Sequence, residues 1–258
     1  MTQTRLNVIG VGISITNLDH AVCTILDWRS RGQRGAVSTC TAHTLVECHR
    51  NPALRAKINA AALATPDGMP LVWLAHKQGH PNVGRVYGPD LMLALCEAGL
   101  PSGLRHCFYG GPPGVADRLA ARLQQRFPDL AVVGAISPPY RDLDPEEDAA
   151  FVSQINAMSP DIVWVGLGTP KQDFWTTEHV GRVNASALIG VGAAFDFLSG
   201  RVRQAPKWIQ KSGLEWLFRL SQEPRRLWRR YILDNVVFVI HVALQATGLR
   251  AYPIEAEG

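Results

Sequence analysis

Residues 105–136 read RHCFYGGPPGVADRLAARLQQRFPDLAVVGAI, and this stretch decides the fold. A strand-like run from Arg105 to Tyr109 stops at paired glycines. Val115 to Phe127 then places apolar residues at helical spacing, and a β-branched run, Ala131 to Ile136, follows after Pro128 and Asp129. Strand, glycine turn, helix and strand in this order describe buried parallel strands joined by a crossover helix. The alternation extends in both directions. Leu6 to Ile15 precedes Asn17 to Trp28, Ala36 to Thr39 precedes Leu45 to Arg50, and Ile162 to Gly166 and Ala187 to Val191 are short apolar runs bounded by Gly or Pro. The expectation is an α/β fold over residues 1–199, a doubly wound, mostly parallel, Rossmann-like sheet with its ligands at the carboxyl ends of the strands.

After Gly200 the pattern turns to helices only, punctuated by Pro206 and Pro224, so residues 200–258 are expected as a helical, basic appendage. Nine of the 26 Lys and Arg residues lie between Gly200 and Tyr231 against two of the 22 acidic ones, while the remainder of the chain is slightly acidic. Trp208, Trp216, Trp228 and Tyr231 interleave with the arginines. Forked guanidinium donors match phosphate oxygens, and amphipathic rings settle at a membrane–water boundary. The partner is therefore an anion: a lipid phosphate, a nucleotide or a nucleic acid. From Arg225 on, Trp228, Tyr231, Ile232, Asn235, Phe238 and Val239 form an apolar stripe with Arg226, Arg229 and Arg230 on another face, a basic amphipathic helix expected to pack its stripe on the core.

Composition excludes several classes. A hydrophobic content of 47% and a charged content of 19% are those of an ordinary globular protein. Five cysteines without C-x-x-C spacing signal neither a disulfide framework nor a zinc site, which fits a reducing, cytoplasmic setting. The start, MTQTRLNVIGVGISI, reads as a first strand rather than a signal peptide. The run Val236 to Leu244 is broken by His241 and falls far short of the ~20 residues that cross a bilayer, so any membrane contact is peripheral. Gly10-Val-Gly12 has Ile15 where a dinucleotide fingerprint needs glycine. Asp142-Leu-Asp144 imitates a metal motif but lies among turn and helix-start residues, and the eight histidines show no metal-ligand spacing. No metal and no other cofactor is expected.

Four loops hold candidate chemistry. Tyr109-Gly-Gly-Pro-Pro-Gly114 opens a helix and is either a diphosphate cradle at Gly110 and Gly111 or a plain tight turn. Gly166-Leu-Gly-Thr-Pro-Lys-Gln172 brings Gly168, and Lys171 and Gln172 toward one rim. Gly190-Val-Gly-Ala-Ala-Phe-Asp196 ends on an acid that accepts from a base or ribose, or caps a helix. Thr65-Pro-Asp-Gly-Met-Pro70 sets Asp67 on a rigid loop, as a general base or as a turn residue. Thr39, ending its strand, is either an orienting hydroxyl or structural.

Taken in order, these loops resemble the WecG/TagA/CpsF family, glycosyltransferase family 26. The likeness also takes in Val86-Tyr-Gly-Pro-Asp-Leu-Met92, Gln204-Ala-Pro, Leu214-Glu-Trp-Leu-Phe-Arg-Leu220 and Glu223-Pro-Arg-Arg-Leu-Trp-Arg-Arg-Tyr231. The resemblance implies an inverting, metal-independent transferase on the inner face of the cytoplasmic membrane, moving a sugar from a UDP-sugar to a polyprenyl-diphosphate-linked saccharide for a cell-surface polymer. It makes Asp67 the base, Thr39 and Gln172 active-site residues, and Arg219, Arg226 and one or both of Arg229 and Arg230 the arginines of the appendage. The family's T-x-N is here Thr39-Cys-Thr41, which puts the acceptor contact of Thr41 in question. N-acetylmannosamine, its uronic acid and glucose are all donors in such families, and a homo-oligomer is an open possibility. The rival readings are a nucleic-acid-binding protein using the basic tail and a nicotinamide-dependent oxidoreductase.

Overall fold

The computed structural model describes residues 4–254. The chain opens with an antiparallel hairpin of β1 (Arg5–Val8) and β2 (Val11–Ser14), where one continuous strand was expected. The cause is local: Ile9 and Gly10 take φ of 46° and 85°, the left-handed pair that a two-residue hairpin turn demands. There follow α1 (Leu18–Ser30), β3 (Gly35–Cys40), α2 (Ala42–Arg50), α3 (Pro52–Ala60), β4 (Leu63–Pro66), α4 (Met69–Lys77) and α5 (Gly88–Gly99). The expected alternation then runs through β5 (Arg105–Gly110), α6 (Val115–Arg126), β6 (Ala131–Ile136), α7 (Pro145–Met158), β7 (Ile162–Gly166), α8 (Lys171–Glu178), β8 (Ala187–Gly190) and α9 (Ala194–Leu198). Beyond it come only helices: α10 (Lys207–Ser212), α11 (Glu215–Gln222), α12 (Pro224–Trp228), a π-helical turn over Arg229–Leu233, and α13 (Asp234–Ala246).

The main sheet has the order β4-β3-β8-β7-β5-β6, and neighbours from β3 to β6 pair in parallel. The α/β, mostly parallel architecture read from the sequence is the one observed. The chain forms two compact units. One takes in the chain up to Asn17, Thr39–Tyr87 and the chain from Gln204; the other takes in Leu18–Ser38 and Gly88–Arg203.

In the second unit, Tyr109, Ile155, Val163, Val165, Trp175 and Leu188 belong to one buried cluster, as strands covered on both faces require. Trp164 Nε1 on β7 donates to His106 Nδ1 on β5 at 3.0 Å. Burial pushes the His106 imidazole down to about 4, so it stays neutral and able to accept. Asp144 caps α7 and exchanges bonds with Glu147, so of the Asp142-Leu-Asp144 acids Asp144 belongs to a helix start, while Asp142 lies in the loop before it.

In the first unit the last helices fold back onto the hairpin. The Gln245 side chain accepts from the Ile9 amide at 2.8 Å and donates to Asn7 O at 3.2 Å, and Asn7 Nδ2 donates to Tyr252 O at 2.7 Å. The stripe expected to pack inward does so only in part. Leu227, Asp234 and Phe238 are buried, whereas Trp228, Ile232 and Val239 are 44%, 49% and 63% exposed. The π turn over Arg229–Leu233 shifts the phase of the residues that follow it, Val239 among them, relative to a regular helix.

Candidate active site

The exits of β3 and β4 meet in the first unit. The Asp67 amide donates to Cys40 O at 2.9 Å, which ties the loop after β4 to the end of β3, where Thr39 is buried. Thr41 serves as the N-cap of α2: its hydroxyl accepts from the Thr44 amide at 3.3 Å, and its own amide donates to Thr44 Oγ1 at 3.2 Å. Asp67 lies between Pro66, the last residue of β4, and Gly68, the cap of α4.

Asp67 is held by a residue the sequence reading passed over. Arg85 donates through Nε to the Asp67 carbonyl, and through Nη2 to Asp67 Oδ1 at 3.3 Å and to Glu215 Oε2 at 2.6 Å. Glu215 accepts again from the Tyr87 hydroxyl at 2.6 Å, and the Arg85 guanidinium lies 4.0 Å over the Tyr87 ring. Tyr87 and Glu215 are both buried. Burial works against the Arg85 charge, but the carboxylates of Asp67 and Glu215 outweigh it and hold its pKa above the ordinary value. Burial and the neighbouring Glu215 push the Tyr87 hydroxyl up, so it stays protonated and donating.

Glu215 and Arg219 stand one turn apart on α11 and so share a face. Arg219 and Arg226 both act on Arg230: its pKa is lowered first by burial and then by these two arginines, with Tyr231 and Asp234 opposing. The Arg230 Nε is shut from solvent with no acceptor among the described residues. Arg226 also pairs with Glu223 at 2.5 Å. Arg229 points elsewhere, exposed and 5.3 Å over the Trp228 ring. Of the two arginines left open by the sequence, Arg230 is the one that joins the group.

Asp234 anchors this region. It accepts from His43 Nδ1 at 2.6 Å and from Arg50 at 2.8 Å. Burial and then Arg230 lower the His43 pKa despite Asp234, so the ring is neutral near pH 7 and donates from Nδ1. His43, Glu47 and Asp234 bring potential ligand atoms within 4.8 Å of one another. Arg50 bonds both carboxylates and Arg230 bears on His43, so the negative charge of the group is already answered by cations.

The remaining candidates lie in the second unit, at the exits of β5, β7 and β8. Gly110 is a glycine for packing, since a Cβ there would stand 2.6 Å from the Gly166 carbonyl carbon. The Gly111 amide donates to Gly166 O at 3.0 Å, and Pro112 and Pro113 have no amide hydrogen, which leaves this loop few donors for a phosphate. Lys171 and Gln172, read as facing one rim, part company. Gln172 is buried against Gly190 and Gly192 and accepts from the Gly168 amide at 3.1 Å. Lys171 pairs with Asp142 at 2.8 Å and borders a cavity of about 560 Å³ shared with Tyr109, Tyr140, Trp175 and His179. Asp196 lies in the first turn of α9, which Ala193 caps, and accepts from Arg201 at 2.9 Å. Asp173 is wholly buried, and burial pushes its carboxyl up to about 6 against the hydroxyls of Thr169 and Ser38.

The sequence profile of the glycosyl transferase WecG/TagA/CpsF family matches residues 6–252. The chain belongs to this family. It is accordingly a glycosyltransferase, and the oxidoreductase and nucleic-acid readings give way to that class. A WecG/TagA/CpsF relative from Bacillus spizizenii, an N-acetylglucosaminyldiphosphoundecaprenol N-acetyl-beta-D-mannosaminyltransferase, is 29% identical over 215 residues, covering 83% of this chain and 80% of its own.

Arg85, Tyr87, Glu215, His43 and Asp234 are residues bonded around the candidate site of this WecG/TagA/CpsF enzyme that the sequence reading missed. A signal existed for one of them. Glu215 is one of only two acids between Gly200 and Tyr231, and a lone acid in a basic run needs a specific partner.

Proposed function

We propose that the enzyme transfers one sugar, with inversion and without a metal, from a UDP-sugar to a polyprenyl-diphosphate-linked saccharide at the inner face of the cytoplasmic membrane. The relative's name points to N-acetylmannosamine as donor sugar and to a diphosphate-linked N-acetylglucosamine as acceptor. The observation that carries this reading is the crowding of Arg219, Arg226 and Arg230, one with a buried Nε that lacks an acceptor among the described residues. Like charges crowded against the partly buried Arg230 guanidinium cost free energy that an intervening anion removes. A diphosphate supplies that anion, from the leaving UDP or from the lipid linkage.

In the proposed step Thr39 orients the acceptor hydroxyl and Asp67 takes its proton. The hydroxyl oxygen bonds to the anomeric carbon as the bond from that carbon to the UDP oxygen breaks, and UDP departs with the electron pair. Fixed cations meet the developing charge in place of a metal. Gly110, Gly111, Gly168, Lys171, Gln172 and Asp196 are proposed to hold the UDP-sugar, and Thr41 to shape the acceptor side through the turn it caps. Residues 200–258 act as the appendage that completes the site.

Membrane contact is assigned to the apolar surface of the helices from α10 on, where Trp208 is 70% and Val236 55% exposed. Among the described residues no helix is long and apolar enough to cross a bilayer. The test is a panel of UDP-sugars incubated with a short-chain polyprenyl-diphosphate N-acetylglucosamine, with product mass read with and without EDTA. One sugar added with EDTA present supports the reading; activity lost to EDTA, and restored by a divalent cation, overturns its metal-free form.

A further inference from the structure

We infer that Glu215 is a positioning residue for catalysis: it draws the Arg85 guanidinium away from Asp67 and so keeps that carboxylate basic and aligned whenever the C-terminal segment is seated. The inference rests on the reading of Asp67 as the base.

Arg85 is shared unequally. Its Nη2 stands 2.6 Å from Glu215 Oε2 but 3.3 Å from Asp67 Oδ1, so the stronger pairing is with the residue from α11. Its Nε holds the Asp67 backbone carbonyl, which fixes the loop without consuming the carboxylate. Tyr87 fixes the second oxygen of Glu215 at 2.6 Å, and Arg85 Nη1 reaches Gln210 O at 3.5 Å, so α10 and α11 both close on this guanidinium. Among the described residues, the charged and titratable groups shown to act on or beside Asp67 include Arg85, Tyr87 and Glu215.

Charge balance gives the consequence. With Glu215 ionised, one cation stands between two carboxylates and neither is wholly neutralised. With Glu215 removed, the cation belongs to Asp67 alone, which then gives up its proton more readily and accepts one from the acceptor less well. Because Glu215 is carried by the segment that also carries Arg219, Arg226 and Arg230, seating that segment brings the anion-binding arginines and prepares the base in one event. A UDP-sugar reaching the enzyme with the segment unseated meets a base that is masked, which limits its hydrolysis.

The test is the pH dependence of kcat/KM for the full-length enzyme and for Glu215→Gln, with UDP-N-acetylmannosamine and a short-chain polyprenyl-diphosphate N-acetylglucosamine. The account expects the acid limb of Glu215→Gln to move down by about one pH unit and kcat to fall about tenfold on the alkaline plateau, with KM for the donor little changed. A merely structural role would lower the melting temperature and leave the acid limb in place, and that result overturns the proposal. Arg85→Lys serves if Glu215→Gln does not fold: it keeps the charge but loses the fork, so kcat is expected to fall at least tenfold, and an unchanged kcat contradicts the account. Asp67→Asn separates the two levels. Full activity in that variant removes the base assignment itself, whereas an inactive Asp67→Asn beside an unshifted Glu215→Gln removes only the role of Glu215.

Discussion

His43 Nδ1 on α2 and Asp234 Oδ2 at the start of α13 stand 2.6 Å apart, with Arg50 2.8 Å from the other Asp234 oxygen. This pair ties the helix that follows Thr39 and Thr41 to the C-terminal segment. His43→Asn is expected to lower stability at pH 7.5 by about 1–3 kcal/mol, because it leaves a buried carboxylate with one partner fewer. The His43 pKa is depressed by burial and Arg230, so as the pH falls the unfolded chain takes up its proton before the folded one does. The stability it contributes is whole above the unfolded value of about 6.5 and is lost on acidification through the lower folded value. Urea unfolding at pH 7.5 and 5.5 checks this: the wild type should lose more on acidification than His43→Asn.

The two adjacent arginines of the π turn should differ sharply. Arg230→Ala is expected to slow transfer by roughly a hundredfold, as loss of a donor to a developing anion does, while Arg229→Ala stays within a few fold. Diphosphate in excess should raise the melting temperature of the wild type by mass action and leave Arg230→Ala almost unmoved. Thermal shift with and without diphosphate reads both.

The fold was legible in the sequence because buried parallel strands have a period and a punctuation of their own. RHCFYGGPPG and the runs at Ile162 and Ala187 became β5, β7 and β8 within a residue of their expected ends. The hairpin at Ile9 and Gly10 was hidden because its turn lies inside an unbroken apolar run. Asp67 was singled out from its loop, but Glu215, which shares Arg85 with it, is 148 residues away, and no local pattern carries a link of that range. Past Leu233 the apolar stripe is also rephased by a π turn, which changes the phase of a helix without changing its composition. Apolar residues at helical spacing also have two possible destinations, the core and a membrane surface, and periodicity is the same for both.

That ambiguity is testable. Replacing the exposed Trp208 and Val239 together with Ser is expected to weaken binding to anionic vesicles several-fold, since each large apolar side chain buried in the interface contributes on the order of 1–3 kcal/mol. Turnover with a short-chain, water-soluble acceptor should be unchanged. Vesicle sedimentation beside that assay distinguishes a membrane surface from a packing defect, which would reduce both.

Asp173 offers a test of electrostatics inside the second unit. Its folded pKa of about 6 lies above the unfolded value, so the folded chain holds a proton that the unfolded chain has lost between about pH 4 and pH 6. Stability from this group is full below that window and declines as pH rises through it. Asp173→Asn should therefore stabilise the protein at pH 8 by about 1–3 kcal/mol and have little effect at pH 4. Chemical denaturation at the two pH values decides it.

The central claim, that Asp67 is the base of a UDP-dependent sugar transfer onto a lipid-linked diphosphate, is tested most directly by the single-turnover rate of Asp67→Asn with UDP-N-acetylmannosamine and polyprenyl-diphosphate N-acetylglucosamine. The account predicts a rate lowered by about 10² to 10⁴, with UDP affinity within a few fold of the wild type. Turnover near the wild-type rate in that variant would contradict it.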